Sequence, residues 1–234
     1  MILSDKTLII NVAAGSNYVK KQKRLINSIK QFHNDFDYLI YSEKMPPNCP
    51  SHKDVPYAFK PYAMLEAKRL GYHNLFWLDT SLVLRKPMTP LIDYVKEHGH
   101  YIQVNGWNTG QWCTDAACKS LGIDREESFK MGHCMGTMLC LDISNKRSSD
   151  FLDQWYQYAN DGVSFIGPWN NKDNLCSADK RVLGHRHDQT VASIVSLRIK
   201  MEWKMTEGFL SYCRHDEKPP THALFSCNGG AWGL

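Results

Sequence analysis

The chain has 234 residues, of which 43% are hydrophobic and 12% aromatic, and it carries a formal net charge of +4. A chain of this length buries roughly 70–75% of its unfolded surface, which excludes a disordered segment or a fold that depends on staples, so one domain over residues 1–234 is expected. The basic residues are spread out, with no long stripe of the kind a nucleic-acid binder needs, so no nucleic-acid partner is expected, whereas a slight positive excess suits an anionic small molecule such as a diphosphate.

The opening "MILSDKTLIINVAA" has no basic start, and its apolar run is too short for the core of a signal peptide or a membrane span. A soluble, cytoplasmic protein without stable membrane insertion is expected. Within that opening, "LIINV" (8–12) reads as a strand. A helix follows over 19–32, with Leu25, Ile29 and Phe32 on one stripe and the basic run "KKQKR" (20–24) as a solvated face. "YLIY" (38–41) is a second strand. "KPYAMLEAKRLG" (60–71) is a helix with Pro61 in its first turn and Gly71 just past its end.

"LFWLD" (75–79) is a third strand, and "TPLIDYVKEHG" (89–99) repeats the helix grammar with Thr89 as N-cap, Pro90 in the first turn and Gly99 as stop. "YIQVN" (101–105) and "GTMLCL" (136–141) read as further strands. Helices are expected in "SSDFLDQWYQYAND" (148–161), through Phe151, Leu152 and Trp155, and in "HDQTVASIVSLRI" (187–199), through Val191, Ile194, Val195 and Ile199. The strand runs are apolar throughout rather than alternating, which marks strands covered on both faces. Strand and helix alternate through the first 100 residues, so the class is α/β with a mostly parallel central sheet flanked by helices. The last 35 residues are mixed and are left unassigned. Eight cysteines contain no Cys-x-x-Cys pair, which argues against structural zinc and for reduced thiols.

One acid stands out. In an open α/β sheet, ligands bind at the carboxyl ends of the strands, and Asp79 stands where "LFWL" ends. The alternative is an Asp that caps the next turn through Thr80 and Ser81.

The stretch "KPYAMLEAKRLGYHNLFWLD" (60–79), a helix, a short turn and a strand ending in Asp, resembles the GT-A-fold glycosyltransferases, which use nucleotide-sugar donors. In that family an Asp-x-Asp motif closes this strand and holds a divalent metal and the donor ribose; here it reads Asp79-Thr80-Ser81. The resemblance implies Asp79 and Ser81 as metal and donor ligands, and Mn2+ or Mg2+ as cofactor with one anionic ligand fewer. "HCMGTMLCLDISN" (133–145) is similar to the strand beneath the donor sugar in glycogenin and bacterial galactosyltransferases, with Gly136 at its glycine. "GHRHDQTVASIV" (184–195) carries Asp188-Gln189, which matches the family's Asp-Gln pair: the Asp on donor-sugar hydroxyls, the Gln beside the anomeric carbon. Read alone, Asp188 also suits an N-cap. The resemblance further implies that Ala13, Ala14 and Gly15 cradle the nucleoside and that Tyr18 stacks on the base. Lys60 is a point charge within reach of a phosphate. Small virus-encoded and bacterial members look similar.

The resemblance thus implies a single GT-A-like domain with a Rossmann-like nucleotide-binding half (1–100) and an acceptor half (101–234). The implied activity is a hexosyltransferase moving sugar from a UDP-sugar to a carbohydrate or glycoprotein acceptor; Asp188-Gln189 points to the retaining branch, and the inverting alternative needs a carboxylate base near the acceptor hydroxyl. The acceptor is expected over "NGWNTGQWCTD" (105–115), where Trp107 and Trp112 either stack on a sugar or pack in the core, and where Asp115 is a candidate base. Asp216 is a second candidate base, His185 and His187 flank Asp188, and His215 or His222 is available as a further metal ligand. The rivals are a sugar-binding module without turnover, a nucleotidyltransferase, and a phosphatase or nuclease. A nucleotidyltransferase wants a Gly-rich phosphate loop, but "AAGSNY" (13–18) has one Gly and no immediate Lys. A phosphatase or nuclease wants clustered acids, but "DTS" (79–81) offers one.

Overall fold

The computed structural model describes residues 6–213 and 217–227. In chain order come β1 (Thr7–Ala13), α1 (Ser16–Lys30), β2 (Asp37–Ser42), α2 (Phe59–Arg69), β3 (Asn74–Leu78), β4 (Leu82–Leu84), α3 (Thr89–His98), β5 (His100–Tyr101) and β6 (Val104–Asn108). They are followed by α4 (Asp115–Ser120), α5 (Arg125–Lys130), β7 (Gly132–Cys134), β8 (Met138–Asp142), α6 (Lys146–Tyr158), α7 (His187–Arg198), β9 (Leu210–Tyr212) and β10 (Phe225–Cys227).

The central sheet has the order β2-β1-β3-β8-β5. β1 pairs in parallel with β2 and β3, β8 is antiparallel to β3, and β5 is antiparallel to β8, so β8 alone runs against the others. The continuous apolar runs are explained by cover on both faces. Leu8, Ile10, Val12, Leu75 and Trp77 join one buried cluster with α2, α6 and α7, while Ile9, Phe76 and Leu78 join another with α1, α3, β4 and β10. Each fully buried Leu, Ile or Phe on these faces contributes about 1.5–3 kcal/mol.

Several local expectations shift. The strand expected at 101–105 divides into β5 and β6, because Ile102 and Gln103 are drawn off the sheet by other segments. Lys204 N donates to Ile102 O at 2.7 Å, Met135 N donates to Gln103 O at 2.7 Å, and the Gln103 amide donates to Leu210 O at 3.1 Å. The strand expected at 136–141 starts at Met138, leaving Gly136 and Thr137 in a bend ahead of it. Met88 rather than Thr89 caps α3, whereas Pro90 in its first turn and Gly99 at its end, with φ 81°, stand where expected. The unassigned C-terminal stretch supplies β9 and β10, which form a small sheet with β4. Lys20 and Lys23 of the basic run are exposed and line a groove of about 650 Å³ between α1 and β4 together with Arg24 and Arg85. No helix among the described residues is long and apolar enough to cross a membrane.

Candidate active site

Because β1 and β3 are parallel, their carboxyl ends lie on one edge of the sheet, and the antiparallel β8 brings its amino end to the same edge. Leu78 pairs with Met138, and just beyond them the Asp79 N–H donates to Thr137 O at 2.8 Å. The chain therefore sets Asp79 beside the bend at Gly136. The ends of β1, β2 and β3 are tied by polar side chains inside the apolar layer. Asn11 donates to Leu78 O at 2.5 Å, Gln22 donates to Asn11 Oδ1 at 2.7 Å and to Tyr41 O at 3.1 Å, and Ser42 donates to Gln22 Oε1 at 2.5 Å. A buried polar group costs free energy unless it is bonded, so these contacts fix the strand ends relative to one another.

Lys60, in the first turn of α2, is 3% exposed and joins the predicted residues. Its Nζ lies 2.7 Å from Asp188 Oδ2, donates to Gly136 O at 2.8 Å, and stands 3.7 Å from Asp79 Oδ1. The rings of Tyr57 and Trp77 flank it, with centroids at 5.2 and 5.6 Å. Burial disfavours the ammonium form, but the carboxylates of Asp188 and Asp79 more than offset this, and the Lys60 pKa rises above its ordinary value. At Asp79 burial is again the largest effect; opposed by Lys60 and reinforced by Asp188, it pushes the carboxyl up to about 6. The Trp77 indole N–H donates to Asp79 Oδ1 at 2.9 Å.

Asp188 does not cap its helix. It lies in the first turn of α7, its carboxylate is turned to Lys60, and its carbonyl accepts from the Trp155 indole at 3.1 Å. Neighbouring Gln189 donates to Cys134 O at 3.2 Å. The bend at 136 needs glycine: a Cβ there would stand 2.5 Å from Gln189 Cγ and 2.9 Å from Asp188 Oδ2. Asp79, Gly136, Asp188, Gln189 and Lys60, scattered along the sequence, thus form one constellation.

The segment Ala13–Ala14–Gly15, expected to cradle a nucleoside, lies at the end of β1 on the same edge. Ala13 O accepts from Glu43 N at 2.8 Å, Gly15 takes φ 91° ahead of α1, and Ala14, Gly15 and Tyr18 are exposed. Tyr57, missed in the sequence, stands between this segment and the acids. Its phenol pKa is pushed up, first by burial and then by the charge of Asp188, with Asp79 and Tyr18 contributing. It takes φ 63° and stacks on His187 at 5.6 Å between ring centroids. Tyr212 of β9 also reaches this edge, its hydroxyl 3.5 Å from that of Thr137.

Other candidates fall elsewhere. Asp115 is exposed at the start of α4 and pairs with Arg125; no hydrogen bond or ion pair joins it to Lys60, Asp79 or Asp188 among the described residues. Trp112 is buried edge-on to the half-exposed Trp107, and the Arg186 guanidinium stacks over it at 3.7 Å. His185 is fully buried between Thr114 N and Ser164 O, and burial lowers its pKa to about 3, which makes it a neutral structural residue. His187 Nδ1 bonds Phe165 O. His222 is exposed in the turn before β10, and His215 and Asp216 lie outside the described residues.

The described donors do not fit a divalent cation. Of the positions implied for a metal, Asp79 supplies one carboxylate, whose nearest cation is Lys60, and Ser81 supplies a neutral hydroxyl. The Ser81 hydroxyl already accepts from the Cys227 thiol at 3.4 Å, while its carbonyl and that of Thr80 accept from Arg24. No group of three or more His, Cys, Asp or Glu side chains that would hold an ion exists among the described residues. Hard divalent cations want several oxygen ligands.

No family model and no curated protein sequence matches the chain. Solved structures do. A glycosyltransferase involved in glycosylation of the major capsid of PBCV-1 aligns over 95% of this chain and 93% of its own, at 15% identity and a TM-score of 0.53. Mouse xyloside xylosyltransferase 1 aligns over 97% and 98%, at 9% identity and a TM-score of 0.54. The galactosyltransferase LgtC, solved with donor and acceptor sugar analogues, aligns over 96% and 88%, at 12% identity and a TM-score of 0.54. At such identities the likeness is one of fold.

Proposed function

We propose that this chain, which has the GT-A fold of these glycosyltransferases, moves a hexosyl group from a nucleoside-diphosphate sugar, with UDP-sugar the favoured donor, to a carbohydrate or glycoprotein acceptor. The observation that carries the reading is the convergence of Lys60, Asp79, Gly136 and Asp188 at one strand edge, where β1 ends in buried Ala13 and exposed Ala14 and Gly15. Residues up to about 100 supply the nucleotide half in this reading and the remainder the acceptor half.

In this reading Ala13, Ala14 and Gly15 hold the nucleoside, with Tyr18 against the base. Asp79, at the strand end, accepts from the ribose, and Ser81 lies on the diphosphate side of the same turn. Asp188 accepts from donor-sugar hydroxyls, and the Gln189 amide lies by the anomeric carbon, which favours the retaining branch. Lys60 holds both carboxylates in place and keeps positive charge where negative charge grows on the leaving diphosphate. Gly136 lets the backbone approach the sugar. Catalysis is therefore mainly positional and electrostatic. Asp115, paired with Arg125, is given no part.

A thermal-shift panel of UDP, GDP, CMP and ADP tests the class. Preferential stabilisation by UDP, by several degrees at saturating ligand, is expected. No shift with any nucleotide would favour a sugar-binding module instead.

A further inference from the structure

We propose that this site binds its donor without a divalent cation, and that the Lys60 ammonium is the resident positive charge between its two carboxylates. The inference rests on the donor-site reading above and departs from the metal the sequence resemblance implies.

The argument is one of occupancy and charge. Even with a diphosphate supplying part of its oxygen shell, a divalent ion would need at least one carboxylate free to turn to it. Among the described residues the site has two carboxylates, Asp79 and Asp188, and the point between them is taken: Lys60 Nζ is 2.7 Å from one and 3.7 Å from the other. Lys60 cannot easily swing away. It is 3% exposed, it donates to Gly136 O at 2.8 Å, and the Tyr57 and Trp77 rings stand on either side. Removing it would leave the nearly buried Asp188 carboxylate without its cation.

The second line concerns the turn after β3. A carboxylate at position 81 would put a second acid on the turn that follows Asp79. Position 81 instead holds a hydroxyl, bonded by the Cys227 thiol at 3.4 Å across from β10. Both partners are neutral and soft or weak donors, a combination suited to neither Mg2+ nor Mn2+ oxygen chemistry. Arg24 approaches the same turn from α1, donating to the carbonyls of Thr80 and Ser81 at 3.3 and 3.4 Å. A second fixed positive charge therefore lies behind the turn, where an added cation would be repelled. The third N–H of Lys60 faces Asp79 at a distance longer than a hydrogen bond, so it is the donor still available to an incoming oxygen.

Calorimetric titration of UDP into metal-stripped protein tests this, once in EDTA and once in millimolar Mn2+. The expected result is binding in both buffers with Kd values within about twofold of each other. A parallel titration of Ser81→Asp, which restores a carboxylate on the turn, is expected to tighten at least fivefold on adding Mn2+. UDP binding that appears only with Mn2+, or weakens tenfold or more in EDTA, overturns the inference and leaves the donor-site reading standing. A Ser81→Asp protein as indifferent to Mn2+ as the wild type overturns position 81 as the reason. Absence of UDP binding in both buffers overturns the donor-site reading and the inference with it.

Discussion

The Lys60 ammonium lies 2.7 Å from the Asp188 carboxylate, and each side chain is only 4% exposed. A buried pair of this kind is weak evidence for stability as a whole, because desolvation of both ions opposes their attraction, but losing one partner strands the other. The pair joins α2 to the first turn of α7, the two elements that bring this cation and this acid to the end of β3.

Lys60→Met is therefore expected to destabilise the protein by about 3–5 kcal/mol, since Asp188 is left buried and unpaired. Urea unfolding measures this. Lys60→Arg, which keeps the charge, is expected to recover at least half of the loss; equal destabilisation by both variants would mean that packing between Tyr57 and Trp77, and not charge, is what Lys60 contributes.

Asp188→Asn keeps the shape and an oxygen that accepts from Lys60 but removes the negative charge. Donor turnover is expected to fall by about 10²-fold or more, together with a lower melting temperature, because the buried Lys60 ammonium loses its nearest anion. A lower melting temperature with turnover intact would return Asp188 to a structural role.

Gly136→Ala drives a methyl to 2.5 Å from Gln189 Cγ and to 2.9 Å from Asp188 Oδ2, both closer than van der Waals contact. The helix α7 behind these residues is buried along most of its length, so little room exists to yield. Overpacking is expected to cost about 1–3 kcal/mol and to weaken UDP binding, measured by chemical denaturation and calorimetry. Wild-type affinity in a protein of unchanged stability would show the bend to be looser than the structure has it.

Asp79 carries the pH dependence. Its carboxyl is pushed up to about 6, first by burial, so between an unfolded value near 4 and that value the folded state holds more protons than the unfolded state. Its contribution to stability is thus full below about pH 4 and declines as pH rises through 6. Buried His133 and His185, both lowered to about 3, act in the opposite direction over pH 3 to 6.5. Subtracting the stability curve of Asp79→Asn removes the histidines, which both proteins share. The difference is expected to fall with pH between 4 and 6, whereas a flat difference would contradict the shift.

The α/β class and the mostly parallel sheet were legible because β1 and β3 are apolar on both faces, and the acid at the end of β3 was legible because it interrupts that run. Gly136 and Asp188-Gln189 were legible as motifs. Their meeting point was not, since Lys60 meets Asp188 across most of the chain and no local pattern encodes that contact. Asn11 left a trace as an amide inside "LIINV" that a stricter reading of buried polar residues would have followed. Tyr57 left none, because its place depends on a left-handed backbone at φ 63°. Cys227 against Ser81 was equally hidden, since a C-terminal strand that pairs with β4 decides it. The division of the strand expected at 101–105 follows from Gln103, whose partners come from distant segments.

The central claim is that a nucleotide-linked sugar reacts against Asp188. The most direct measurement is release of nucleoside diphosphate from a panel of UDP- and GDP-sugars by wild-type protein and by folded Asp188→Asn. Release from at least one UDP-sugar by the wild type, falling by about 10²-fold in the variant, is the result predicted. Equal release by both proteins, or none by the wild type with any donor, would contradict it.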